Sequence, residues 1–210
     1  MLIYPAQGAA GACGENCANW IAAEGTVHWD GTKRMIAALD RLAGQKLPVF
    51  LDVRGQSDLR AAMGIGRILR ERGFEVAVGR TMVDQCRKMS EADCAALKRT
   101  GGPLRGSLWA LETCDITCVL ILSGGVRRTI EETSKAVING TQVGHRLGLN
   151  ISDEIRDGVR VNSIEQIRLY LTQMGVDPAL TDMIEASGPA GKIVLSRADL
   201  IRLRVLTSQP

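Results

Sequence analysis

Apolar positions along this chain recur with periods that name the local structure. From Ala18 to Val27 apolar and β-branched residues run together until His28-Trp29-Asp30-Gly31 supplies a turn signal, which predicts a first strand. Thr32 to Leu42 puts Met35, Ile36, Leu39 and Leu42 on one stripe, with Lys33, Arg34, Asp40 and Arg41 outside it. That is an amphipathic helix, and Gly44 suits its C-cap. Leu47 to Val53 is a short continuous apolar run, expected of a parallel strand covered on both faces.

After the break at Arg54-Gly55-Gln56-Ser57, either Ser57 or Asp58 can cap a helix reaching Arg72. Leu59, Ala62, Met63, Gly66 and Leu69 face inward on it, and Gly73 closes it. Phe74 to Val78 then reads as the next strand. Strand, crossover helix and strand in this order make a right-handed βαβ unit and a parallel sheet. Gly64 and Gly66 fall inside the helix, and Leu69 stands three residues on, so the pair is not a dinucleotide fingerprint; small residues where a helix crosses a sheet explain it.

Between Gly79 and Thr113 periodicity fails, apart from a short helical stretch at Glu91 to Lys98. Excursions of this length in a compact domain are usually functional or stapled. Cys114 to Ser123 is an apolar run stopped by Gly124-Gly125, which predicts a buried helix. Gly140 to His145 suggests a strand carrying a histidine at its end. Beyond it the pattern is helical: Ile164, Ile167, Leu171 and Met174 share a face, Asp177-Pro178 begins another helix, and Ser196 with Asp199 has the form of a capping box.

The 210 residues can bury one substantial core, alone or with a small appended subdomain. The expected division is a leader or flexible N-terminus over 1–12, an α/β domain over 13–150 and a helical C-terminal extension over 151–210. With 26 basic and 23 acidic residues mixed along the chain and few aromatics to stack on bases, nucleic acid is not implied. No apolar run reaches the roughly 18 residues that a membrane-spanning helix needs, so no membrane insertion is expected. The small residues of 1–13 resemble the tail of an export signal.

Six cysteines, Cys13, Cys17, Cys86, Cys94, Cys114 and Cys118, fall into three close pairs. Three disulfides in an oxidising compartment are the natural interpretation, although sequence does not choose among the connectivities. Free buried thiols are a second possibility. A zinc site from Cys13, Cys17, Cys114 and Cys118 is a third, which the spacing permits and no neighbouring histidine supports.

Four stretches in this order resemble the Clp-protease and crotonase superfamily, and more closely the bacterial Clp-like proteins labelled periplasmic. They are Cys13 to Gly25, Val49 to Gly73, Cys114 to Arg128, and Tyr170 to Pro178 with Leu195 to Leu200. The resemblance implies a ββα-type spiral α/β fold with a parallel sheet, a periplasmic or secreted location, no cofactor, a peptide or protein ligand and possible homo-oligomers.

In active members of the family a helix-start serine attacks a carbonyl, a histidine takes its proton, and glycine N–H groups hold the oxyanion. The family's Cys-x-Ser-x-Cys appears here as Cys114-Asp115-Ile116-Thr117-Cys118, so the serine position is Ile116. Its Ser-Pro-Gly-Gly appears as Val53-Arg54-Gly55-Gln56, which keeps Gly55 and replaces a glycine by Gln56. Its Gly-Val-His appears as Gly144-His145, displaced by one. These departures predict a catalytically silent protein that binds a peptide or partner chain. The competing expectations are a hydrolase with Thr117 as nucleophile and His145 as base, or a crotonase-like acyl-thioester enzyme with backbone donors at Gly55 and Gln56. Asp115 is expected to be a helix cap.

Overall fold

The structure, a computed structural model, describes residues 1–42, 44–55, 57–140 and 152–207. Its elements are β1 (Leu2–Gln7), β2 (Asn19–Gly25), α1 (Gly31–Arg41), β3 (Val49–Val53), α2 (Leu59–Glu71), β4 (Val76–Val78) and β5 (Arg80–Val83). A 3-10 turn over Asp84–Lys88 leads to α3 (Glu91–Arg99), β6 (Leu104–Trp109), β7 (Thr113–Cys114), α4 (Ile116–Ser123), β8 (Arg128–Ile130) and β9 (Lys135–Asn139). The last described part holds α5 (Asp153–Gln173), α6 (Ala179–Ala186), β10 (Lys192–Leu195) and α7 (Arg197–Arg202).

Seven strands form the main sheet in the order β5-β6-β1-β2-β3-β4-β8. The pairs β2/β3, β3/β4, β4/β8 and β1/β6 are parallel, while β1/β2 and β5/β6 are antiparallel. A second, three-stranded sheet has the order β10-β9-β7. The predicted helix–strand unit around β3, α2 and β4 is present, and Asp58 caps α2 by accepting from the N–H groups of Arg60 and Ala61.

Three expectations are corrected. Leu2–Gln7, expected to be a leader or a flexible end, is β1 and lies inside the sheet. Pro5 disguised it, since proline cannot donate to a ladder. Here β6 meets β1 only at Ala6 and Gln7, so at Pro5 the strand has a neighbour on one side. The aperiodic stretch from Gly79 to Thr113 contains β5 and β6, both half-exposed, whose hydrogen bonding comes from distant strands. A strand at Lys135–Asn139 was not among the predicted elements, while the expected 140–145 strand falls almost wholly outside the described residues.

The sheet's two faces bury different clusters, as period-two alternation requires. On one face Ile21, Ala23, Val49, Leu51 and Val53 meet α1, α2 and α4. Residues of α5, α6, β10 and α7, among them Tyr170, Leu180, Leu195 and Leu200, belong to that same cluster. On the other face Tyr4, Trp20, Ala22, Val83 and Leu104 pack with the half-buried Phe50 and Leu97. The helix predicted from the apolar run at 114–123 is buried along its whole length.

Two devices lock the first layer. Gly66 on α2 sits against α4: a Cβ added at Gly124 falls 2.2 Å from the Gly66 carbonyl oxygen, and one added at Gly66 falls 1.8 Å from the Tyr170 hydroxyl. Tyr170 is fully buried and donates to the Leu120 carbonyl at 2.7 Å, and burial pushes its phenol pKa up. The second device is Arg128. Its Nη1 donates to the carbonyls of Ser123 (2.9 Å) and Met174 (3.0 Å), and its Nη2 to that of Arg204 (2.8 Å). These carbonyls lie at or just beyond the C-termini of α4, α5 and α7, where a cation meets unsatisfied oxygens and the negative end of the helix dipole. Arg70 donates to the Ser123 and Met174 carbonyls from the other side. Burial, then the neighbouring Arg70, pulls the Arg128 pKa down to about 10, so it remains a cation at neutral pH.

Arg128→Met is expected to leave the Arg204 carbonyl without its charged donor, and those of Ser123 and Met174 with Arg70 alone, and to cost about 3 kcal/mol in denaturant unfolding. A loss below about 0.5 kcal/mol rejects the clamp. Gly66→Ala is expected to cost about 2 kcal/mol by overpacking despite its gain in helix propensity. In a double-mutant cycle with Tyr170→Phe part of that cost should disappear, because the hydroxyl is the nearest obstacle; strict additivity contradicts the packing argument.

Candidate functional site

The residues singled out from the sequence do not assemble into a hydrolytic centre among the described residues. Asp115 is the N-cap of α4 and accepts from the Cys118 N–H at 3.1 Å. Ile116 follows as the first residue of the helix and is fully buried, and Thr117 behind it is 1% exposed. Gly55 follows β3 with φ of +79°, a conformation that favours glycine, and Thr26 Oγ1 donates to the adjacent Arg54 carbonyl at 3.1 Å. Gln56 and His145, expected in the oxyanion hole and as the base, lie outside the described residues. The other histidine of the chain, His28, is exposed.

All six cysteines are paired, each with its sequence neighbour: Cys13–Cys17, Cys86–Cys94 and Cys114–Cys118. That leaves no thiolate for the zinc arrangement and no free buried thiol. Three disulfides fit an oxidising, extracytoplasmic environment. Among the described residues no helix is long and apolar enough to cross a membrane.

A different site emerges on the opposite face of the sheet. A cleft of about 680 Å³ opens where β2 and β3 end and β5 begins, and α3 forms its far wall. Open α/β sheets place ligands outside the carboxyl ends of their parallel strands, which is where this cleft lies. Its floor is Asp52. Alternation along β3 turns Val49, Leu51 and Val53 into the core and Asp52 the other way, where it is 2% exposed.

A carboxylate this buried needs charged partners. Arg54 donates to Oδ1 through Nε at 2.7 Å and to Oδ2 through Nη2, and Arg80 Nε donates to Oδ2 at 2.9 Å. Hydrogen bonding to Asp52 holds the Arg54 pKa above its ordinary value. Across the cleft, Lys98 of α3 donates to Glu24 at the end of β2, and the Tyr4 hydroxyl donates to the other carboxylate oxygen at 2.9 Å. Burial, and then the Glu24 charge, pushes the Tyr4 phenol up. The cleft therefore has one neutralised wall and one floor where two guanidiniums share a single carboxylate.

These residues were not selected from the sequence, although one signal was present. Asp52 is a lone charge in an otherwise apolar strand, and a buried charge in such a place requires partners. Arg54 follows two residues on, while Arg80, Glu24 and Lys98 are brought in by strand order and by α3.

No family model matches the chain, and no curated protein matches it. Among solved structures it is similar to one described as "Crystal structure of an Enzyme", with a TM-score of 0.51 and 9% sequence identity over 89% of this chain and 92% of that one. The likeness is one of fold. It supports the mixed α/β architecture with a mostly parallel sheet and carries no residue roles across.

Helix α3 has no fully buried residue and is tied to the 3-10 turn by Cys86–Cys94. Cys86→Ser with Cys94→Ser is expected to cost roughly 2.5 kcal/mol, the closure entropy of so short a loop. Hydrogen exchange should accelerate in α3 while α2 and α4 stay protected; uniform acceleration throughout the chain contradicts a staple acting on the cleft wall.

Proposed function

We propose that this chain is a catalytically silent, Clp-like protein of the periplasm that binds a peptide or partner chain beside Gly55 and the start of α4. The observation that carries the reading is Ile116. It occupies the position at which the resembling family presents its serine, and it is a fully buried aliphatic side chain with no oxygen to attack a carbonyl. Thr117, the nearest hydroxyl, is buried inside the first turn of the helix. The disulfide at Cys114–Cys118 and the Asp115 cap hold that turn in place. A helix start built this way retains a rigid scaffold without retaining the chemistry. Self-association, which the resemblance implies, belongs to the same proposal and is read by light scattering.

A serine-reactive fluorophosphonate probe is expected to leave the wild-type protein unlabelled, and robust stoichiometric labelling would overturn the reading. Thr117→Ala should leave any residual peptidase rate unchanged; a fall of tenfold or more would restore a threonine hydrolase. Ile116→Ala, which only creates a cavity, should cost about 3 kcal/mol of stability.

A further inference from the structure

We infer that the cleft between β2, β3, β5 and α3 is a binding site for a small organic oxyanion, a carboxylate or a phosphate, held by Arg54 and Arg80. This goes beyond the reading above, because the cleft lies on the other face of the sheet from α4 and its charge does not depend on whether Ile116 replaced a nucleophile.

The charge balance points to the ligand class. Five basic and three acidic side chains line the cleft. On the wall, Lys98 is matched by Glu24. On the floor, two partly exposed guanidiniums are matched by the single buried carboxylate of Asp52, which leaves one positive charge in excess there. Water screens that charge less at the bottom of a cleft than on an open surface, so an incoming anion gains more there.

Geometry points the same way. Arg80 uses only Nε on Asp52, and its two terminal nitrogens have no partner among the described residues. Arg54 spends Nε and Nη2 on Asp52 and keeps Nη1. Asp52 thus fixes both guanidinium planes while leaving donors for a second planar acceptor, the fork arrangement that suits carboxylate and phosphate. Arg99, at the end of α3, lines the same cleft and makes no hydrogen bond or ion pair among the described residues. The volume of about 680 Å³ lies within the range of small-molecule sites.

Isothermal titration of the full chain with citrate, succinate and inorganic phosphate, at constant low ionic strength, tests the assignment. Saturable binding of at least one of them is expected. Binding of citrate or succinate without phosphate assigns a carboxylate ligand, and the reverse assigns a phosphate. Arg80→Gln should weaken binding by about tenfold or more, the loss expected for a charge-assisted hydrogen bond, with Arg80→Lys intermediate. Because Arg80→Gln also disturbs Asp52, Arg99→Gln is the control for folding; it removes no internal contact and should weaken binding several-fold with an unchanged circular dichroism spectrum. Absence of saturable binding by all three anions overturns the proposal, as does equal affinity in wild type, Arg80→Gln and Arg99→Gln. Fluorophosphonate labelling is unaffected by either result, so failure here and failure of the silent-hydrolase reading remain separate.

Discussion

The buried guanidinium of Arg128 is the constraint through which the later half of the chain is joined to the sheet. It stands at the start of β8 and offers its donors to carbonyls at the ends of α4, α5 and α7. A buried cation without a carboxylate is normally costly. Here the cost is offset by three carbonyl acceptors, since the last turn of a helix leaves its oxygens without intrahelical partners. Arg70 reaches two of the same carbonyls from α2. The helices are consequently held together by their ends as well as by their apolar faces.

With those ends fixed, the buried helix α4 has little freedom. Gly66 and Gly124 bring α2 and α4 to backbone contact, Tyr170 closes the gap from α5, and the Cys114–Cys118 disulfide with the Asp115 cap sets where the helix begins. Every residue of α4 is buried, Ile116 and Thr117 included. A position placed so firmly is well suited to precise chemistry, and the side chain at 116 supplies none.

The other face of the sheet is organised by charge. Asp52 and Glu24 point away from the aliphatic core at the carboxyl ends of adjacent parallel strands, and each recruits basic side chains from elements far away in sequence. Where Glu24 and Lys98 balance, the arrangement seals α3 to the sheet. Where Asp52 meets two arginines, an excess of donors remains facing the cleft.

Local chemistry sufficed for much of this. The amphipathic stripe of α1, the Asp58 and Ser196 caps, the Leu47–Val53 strand and the buried α4 all depend on residues within a few positions of one another, so their pattern was legible in the sequence. Glycines 64 and 66 were legible as packing positions against the sheet, but their neighbours are helices, Thr32 of α1 for Gly64 and α4 with Tyr170 for Gly66. What only the tertiary structure decided are features whose partners are distant. β1, β5 and β6 carry weak local signals and exist as strands because other strands complete their hydrogen bonding. Arg128 reads as an ordinary surface charge until three helix ends converge on it. The cleft likewise has no motif, because Glu24, Asp52, Arg80 and Lys98 become neighbours only when strand order and the packing of α3 bring them to one edge. Periodicity reports the face a side chain occupies, and it carries no information about which remote group will stand opposite.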